Sequence, residues 1–290
     1  MTENLTTVVS SKTQTVEINR DNPTVIIGER INPTGRKKML KALQEGNFDM
    51  VKDDAISQVA AGAKILDGNA GVPGADEVAL LKDVLSIVME VTEVPLCIDT
   101  ADTDALAAAL EYYEGKALIN SVNGEERSLD AVLPLAKEYG ASLIGLCMDD
   151  DGIPETSDHR LAVAGKIIER ADKLGIPVED IVIDPLALTM GADHTAGHLA
   201  LDSITKIVAE FGVNITMGAS NISFGMPDRR HINSTFIAMA VHAGLTCPIT
   251  NPLVSDVAIA TLAADLVMGR DDYGMSWIKA YRARQKEEEK

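Results

Sequence analysis

Eight short apolar runs in this sequence each end on residues that can bind or carry charge. The terminal residues are Glu29 and Arg30, Asp67 and Asn69, Asp99, Asn120, Met148 and Asp149, Asp184, Ser220 and Asn221, and Asn251. The set is rich in carboxylates and neutral amides, and no His, Cys or Lys stands among these ends. That composition disfavours Schiff-base, thiol or metal-centred chemistry. Acids and amides suit a planar heterocycle whose edge carries N–H donors beside ring acceptors. An ionised Asp accepts a paired N–H/NH2 edge, whereas an Asn donates and accepts at once. A single Asp after a strand is ordinarily a helix N-cap, and a single loop Asn ordinarily bonds its own backbone. Eight such ends in one chain, several followed by Gly, Pro or Ser, point to a shared site. Small residues at Gly218, Ala219 and Ser220, just before Asn221, let backbone come close to something bound there.

The elements that must position these residues alternate. Apolar runs of strand length lie at 25–30, 65–69, 95–99, 117–121, 142–148, 181–185, 214–217 and 247–251. Helix-period sequence follows each in turn: 39–61 with a break near Gly46, 76–91, an Ala-rich stretch capped at Asp102 or Thr103, and Ser128 to Gly140. The remaining four helices are expected at 157–174, 195–211, 232–243 and 255–268. Short continuous apolar strands between amphipathic helices imply parallel strands buried on both faces. Eight such units predict an α/β fold of the (β/α)8 TIM-barrel type in a single domain, with every strand end at one mouth. A doubly wound sheet would carry a Gly-rich phosphate turn after its first strand. The sequence there reads Gly28-Glu29-Arg30-Ile31-Asn32-Pro33 instead. Residues 1–23 form a leader expected to cover the barrel as a short hairpin, 24–277 the barrel, and 278–290 a charged tail, a solvated and fraying helix end from Ala280 onward.

Of the 290 residues, 46% are apolar, enough for a large core. The formal net charge of −18 opposes nonspecific binding to nucleic acid or anionic membranes. Cys97, Cys147 and Cys247 lie far apart in apolar runs with no C-x-x-C pair, which fits a reducing cytoplasm and argues against a cysteine-built metal site. The N-terminus lacks the apolar core of a signal peptide, and no run is long enough to span a bilayer. His194 and His198 have i, i+4 spacing but lack the Glu of H-E-x-x-H, and Asp149-Asp150-Asp151-Gly152 has no following ligand pattern. No protein-bound metal is expected. Met148, Met190, Met217 and Met226 near strand ends read as core or pocket wall.

The runs Gly28-Glu29-Arg30-Ile31-Asn32, Leu66-Asp67-Gly68-Asn69, Cys97-Ile98-Asp99-Thr100, Ile119-Asn120-Ser121, Ile183-Asp184-Pro185-Leu186 and Ser220-Asn221-Ile222-Ser223 carry a resemblance in register. Together they resemble the pterin-binding methyltransferases, and especially the methyltetrahydrofolate:corrinoid-protein methyltransferases, with the folate module of cobalamin-dependent methionine synthase a near relative. The resemblance implies tetrahydrofolate or 5-methyltetrahydrofolate as substrate, a cobalamin (corrinoid) carried by a partner protein, and a cytoplasmic homodimer working in one-carbon or anaerobic demethylation metabolism. It implies that Asp99, Asn120 and Asp184 hydrogen-bond the pterin edge, and that Asn221 contacts N5, the nitrogen carrying the methyl group. Arg229 matches an arginine near the ligand. Asp67, Asn69, Met148, Asp149 and Ser220 line the same mouth. Asp149 and Asp102 stand where relatives have amides, and Phe224 where some have Gln.

A tertiary amine is a poor leaving group, so methyl departure requires N5 to gain positive charge. Only interactions that strengthen as that charge forms accelerate the step. An amide at Asn221 donates to a neutral N5 and offers its oxygen to a protonated one. Arg229, Arg230 and Lys37 are placed to attract the carboxylates of the folate tail. Two other readings compete: a dihydropteroate synthase-like enzyme, disfavoured because Ile249-Thr250-Asn251-Pro252-Leu253 carries no base, and a non-catalytic barrel that docks a corrinoid protein.

Overall fold

The computed structural model describes residues 4–288, so Met1 to Glu3 of the leader and Glu289 and Lys290 of the tail lie outside it. A two-stranded antiparallel hairpin comes first, β1 (Thr7–Ser10) and β2 (Thr15–Ile18). Eight parallel strands follow: β3 (Ile27–Ile31), β4 (Ile65–Asn69), β5 (Leu96–Asp99), β6 (Leu118–Asn123), β7 (Ser142–Leu146), β8 (Ile181–Asp184), β9 (Asn214–Gly218) and β10 (Cys247–Thr250). They close into a barrel in sequence order, with β10 pairing β3. The (β/α)8 barrel expected from the alternation is therefore the observed architecture.

The helices ring the barrel: α1 (Lys37–Gln44), α2 (Asp49–Ala60), α3 (Glu77–Val91), α4 (Thr103–Tyr112), α5 (Glu126–Tyr139), α6 (Ser157–Lys173), α7 (Ala196–Phe211), α8 (Arg229–Ala243), α9 (Ser255–Val267) and α10 (Met275–Glu288). The expected break near Gly46 divides the first helical stretch into α1 and α2. Left-handed glycines, Gly140 after α5 and Gly212 after α7, stop two of the others. Asp102 caps α4, accepting from the N–H groups of Asp104 and Ala105. Several element ends differ from expectation by one or two residues, and two differ by more. α8 starts three residues earlier, at Arg229, with Asp228 in the left-handed region before it. The helix expected from Ala280 begins earlier, at Met275 inside the stretch assigned to the barrel, and runs to Glu288.

Two apolar layers form. The larger one lies between the sheet and the helices. The smaller fills the barrel: Ile27, Ile65, Cys97, Leu118, Ile144, Val182, Cys247 and Ile249 point inward and meet Val9, Val16 and Ile18 of the hairpin. The hairpin thus closes the N-terminal end. Asn214 fastens it there, its buried amide donating to Thr7 Oγ1 and to the carbonyl of Ile18. With that end sealed, the C-terminal end is the one left for ligand.

Candidate functional site

Side chains alternate along a strand, so the residue two beyond each inward apolar residue also points inward. From Ile27, Ile65, Cys97, Leu118 and Val182 this rule selects Glu29, Asp67, Asp99, Asn120 and Asp184. In the pairing register Asn69 is opposite Asp99 and Asp99 opposite Asn120, while Asp67 lies one step deeper, opposite Cys97. A polar layer thus sits directly above the apolar plug.

The layer is hydrogen-bonded internally. Asn120 Nδ2 donates to Asp67 Oδ1 at 3.0 Å. Asn69 hydrogen-bonds the Asp99 carboxyl, and Asn32 Nδ2 lies 3.5 Å from Asp99 Oδ2. Asp184 Oδ1 accepts from the N–H of Leu186 at 2.7 Å. Burial dominates the electrostatics. It raises Asp67 well above the ordinary carboxylate range, and the neighbouring Asp99 charge pushes it further. Burial also raises Asp99 and Glu29, and lifts Asp184 from 3.8 to about 7. Carboxyls held this way await donors, which a ligand edge of N–H groups supplies.

Asn221 lies on a short 3-10 turn, Ala219–Ser223, that leaves the end of β9. Its amide folds back over Gly218: a Cβ built there would stand 2.8 Å from Asn221 Nδ2. The amide is exposed and sits at the mouth rather than away from it. Bonds from Ser220 and Arg229 help hold the turn. Ser220 Oγ donates to Glu29 Oε1 at 2.9 Å, Arg229 Nη2 to the carbonyl of Ser220 at 2.6 Å, and Arg229 Nε to Ser223 Oγ at 2.9 Å. Arg229 also stacks at 5.9 Å over the Phe224 ring.

Not every expected residue joins this layer in the same way. Asp67 is 3% exposed, so its carboxyl backs Asn120 rather than facing the mouth freely. Asp149 turns to the start of α6, where His159 Nε2 lies 3.1 Å from its Oδ2. Met148 is half-buried beside it. His194 precedes α7 and is 97% exposed on its side chain, so it does not share a helical turn with His198. Among the described residues no group of three or more His, Cys, Asp or Glu is arranged to hold a metal, and no helix is long and apolar enough to cross a membrane. Two residues that the sequence reading passed over contribute. Glu29 ends a run but was given no site role, and Arg160, fully buried on α6, grips the segment after Asp184. The signal for Arg160 was its place on the apolar stripe of that helix, three and four residues before Val163 and Ala164.

A family profile described as "Pterin binding enzyme" matches residues 28–251, from the strand bearing Glu29 to Asn251. The chain belongs to the pterin-binding enzymes. It is 31% identical over 263 residues to the methylcorrinoid:tetrahydrofolate methyltransferase of Eubacterium limosum, covering 89% of this chain and 96% of that protein. It is also 29% identical over 256 residues to methionine synthase of Mycobacterium tuberculosis, of which it spans 22%. Among solved structures, dihydropteroate synthase of Yersinia pestis superposes with a TM-score of 0.64 at 16% identity, over 90% of this chain and 98% of that one. This last likeness is one of fold.

Proposed function

We propose that this pterin-binding enzyme moves a methyl group between N5 of tetrahydrofolate and the cobalt of a corrinoid held by a partner protein. One observation carries the reading. The inward polar layer of Asp99, Asn120 and Asp184 lies at the mouth where the Asn221 amide folds over Gly218, so pterin-edge acceptors and an uncharged donor–acceptor share one opening. The Eubacterium limosum relative, similar over nearly its whole length, supports it.

In this reading Asp184 and Asp99 accept the N–H donors of the pteridine, and Asn120, held by Asp67, meets its remaining edge. Asn69 and Asn32 steady Asp99. Met148 and Asp149 form the rim. The Asn221 amide donates to N5 while it is neutral and turns its oxygen toward N5–H once it is protonated, stabilising the positive charge that methyl departure requires. Arg229 and Ser220 hold the Asn221 turn. The corrinoid supplies a cobalt that accepts or gives the methyl group. A mouth that must admit so bulky a group has no need of a closing lid.

The same reading makes residues 24–277 the pterin-binding unit, with 1–23 as its cap and 278–290 as a charged tail. It places the enzyme in the cytoplasm, in one-carbon or anaerobic demethylation metabolism. We assign it a homodimer, for which the exposed Met239, Val267 and Met268 on and just after α8 and α9, beside a groove of about 560 Å3, supply the apolar surface. A dihydropteroate synthase-like activity is disfavoured by the absence of a basic side chain in residues 249–253 after β10 begins.

The test is an anaerobic assay with methylcob(III)alamin and tetrahydrofolate, following cob(I)alamin by absorbance. Saturable, folate-dependent cob(I)alamin formation is expected. Failure to bind tetrahydrofolate in a direct titration would overturn the assignment, and binding without transfer even with a corrinoid protein would reduce it to a docking role.

A further inference from the structure

Arg160 has the largest side chain among those fully buried, at 1% exposure, and is one of few charged groups enclosed in this fold. Its bonds all go to backbone carbonyls: Nε to Pro154 at 3.2 Å, Nη1 to Pro185 at 2.7 Å and to Leu186 at 2.8 Å. Nη2 is buried with no partner. A guanidinium enclosed without a carboxylate on its fork is an expensive arrangement, and the segment it grips explains it. Pro185 and Leu186 follow Asp184 directly. Leu186 holds φ at 69°, in the left-handed region that a branched side chain seldom occupies. That turn is what aims the Leu186 N–H at Asp184 Oδ1.

Building on the pterin reading above, we infer that Arg160 is a positioning residue for folate binding: it clamps the turn at Pro185 and Leu186 and fixes a positive charge behind Asp184, so that this carboxyl is aimed and ionised when the pterin arrives. Two independent features support it. One is the two carbonyl bonds, which hold a turn that its own sequence disfavours. The other is the uncompensated charge, whose attraction is felt by Asp184 and by the Cys147 thiol. The other groups facing Asp184 supply no counter-charge. Cys147, just beyond β7, and Cys247 on β10 are buried thiols held neutral by their surroundings, and Leu186 and Gly218 offer only N–H groups. Burial alone drives Asp184 toward its neutral form, and Arg160 is the cation opposing it.

The test is an anaerobic calorimetric titration with tetrahydrofolate from pH 6 to 8.5, using the parent, Arg160→Met, Arg160→Lys and the double variant Arg160→Lys/Leu186→Gly. Arg160→Met, which loses charge and clamp, should weaken binding about tenfold or more at pH 7.5 and move the acid limb of the binding curve up by about one pH unit. Arg160→Lys keeps the charge and loses the fork, so its affinity falls while its acid limb stays in place. Relaxing the turn with Leu186→Gly should recover part of that affinity, a result that a purely structural role for Arg160 would not produce. In methyl transfer, KM for folate should rise more than kcat falls. The inference is overturned if Arg160→Met retains the parent affinity and acid limb, or if the double variant binds no tighter than Arg160→Lys. The second comparison decides even if Arg160→Met fails to fold. A parent that does not bind tetrahydrofolate sinks the pterin reading instead, which is a separate result.

Discussion

Asn120 stands at the C-terminal end of the barrel with its amide pinned from behind, Nδ2 donating to Asp67 Oδ1 over 3.0 Å. The two residues lie on β6 and β4, separated by β5, so the bond crosses the barrel interior above Cys97. It fixes which way the Asn120 amide faces. With one N–H of Nδ2 given to Asp67, the carbonyl oxygen can accept from a ligand and the second N–H can still donate.

Removal of that support should therefore act on binding rather than on the chemical step. Asp67→Ala leaves the Asn120 amide without its acceptor in a buried place, a change of about 1–3 kcal/mol. We expect the folate dissociation constant to rise by about tenfold to a hundredfold, with a much smaller change in kcat. Asp67→Asn, which keeps an acceptor oxygen, should lose less. Stopped-flow methyl transfer at saturating folate, set beside equilibrium titration, checks the split.

Asp184 makes stability depend on pH. Burial raises its carboxyl from 3.8 to about 7, so between those values the folded chain binds more protons than the unfolded one. Stability from this group is thus fully present below about pH 4 and is lost as pH rises through about 7, at about 1.4 kcal/mol per unit at most. Asp67, Asp99 and Glu29 shift the same way, so a comparison of variants is needed to isolate Asp184. Asp184→Asn should be more stable than the parent at pH 8, with the advantage shrinking by pH 5, while losing folate affinity. Thermal denaturation of both proteins at the two pH values measures this. A constant difference in Tm would show that Asp184 carries no such penalty.

Much of this was legible in the sequence because parallel barrel strands are buried on both faces. Their apolar runs are continuous, so the polar residue ending each run stands out. Asp67, Asp99, Asn120 and Asp184 were found that way, and alternation from Ile65, Cys97, Leu118 and Val182 then shows why they share a layer. Tertiary contacts were not legible. Nothing local distinguishes Asp67, enclosed behind Asn120, from Asp99 on the next strand. Asp149 ends a run as Asp184 does, yet the loop after β7 turns it toward His159. Arg229 carries charge near the mouth, and nothing local showed that its Nε and Nη2 also hold Ser223 and Ser220. The helical character of the tail was legible, but the start of α10 at Met275, five residues before Ala280, was not.

The hairpin is predicted to be part of the barrel rather than an appendage. Asn214 Nδ2 is buried and bonded to Thr7 and Ile18, and Val9, Val16 and Ile18 complete the inner apolar layer. Asn214→Ala strands the Thr7 and Ile18 acceptors and opens a small void, so a destabilisation of about 1–3 kcal/mol is expected. Urea denaturation should show a lower midpoint, with folate affinity of the folded fraction unchanged because the site is at the opposite end.

Gly218 provides the sharpest test of the Asn221 role. Its backbone has φ −66°, which any residue adopts, so Gly218→Ala introduces no backbone strain. The added methyl would, however, stand 2.8 Å from Asn221 Nδ2, closer than such atoms approach, and the amide must swing off the end of β9. Asp99, Asn120 and Asp184 are left in place. Folate should then bind nearly as tightly as before, while methyl transfer slows by about ten- to a thousandfold, the range seen when one donor to a developing charge is lost. Asn221→Ala should show the same pattern, and combining the two substitutions should add little to either, because both remove one interaction. Measured in single-turnover methyl transfer, two independent and additive losses would mean that Gly218 acts through something other than the amide it supports.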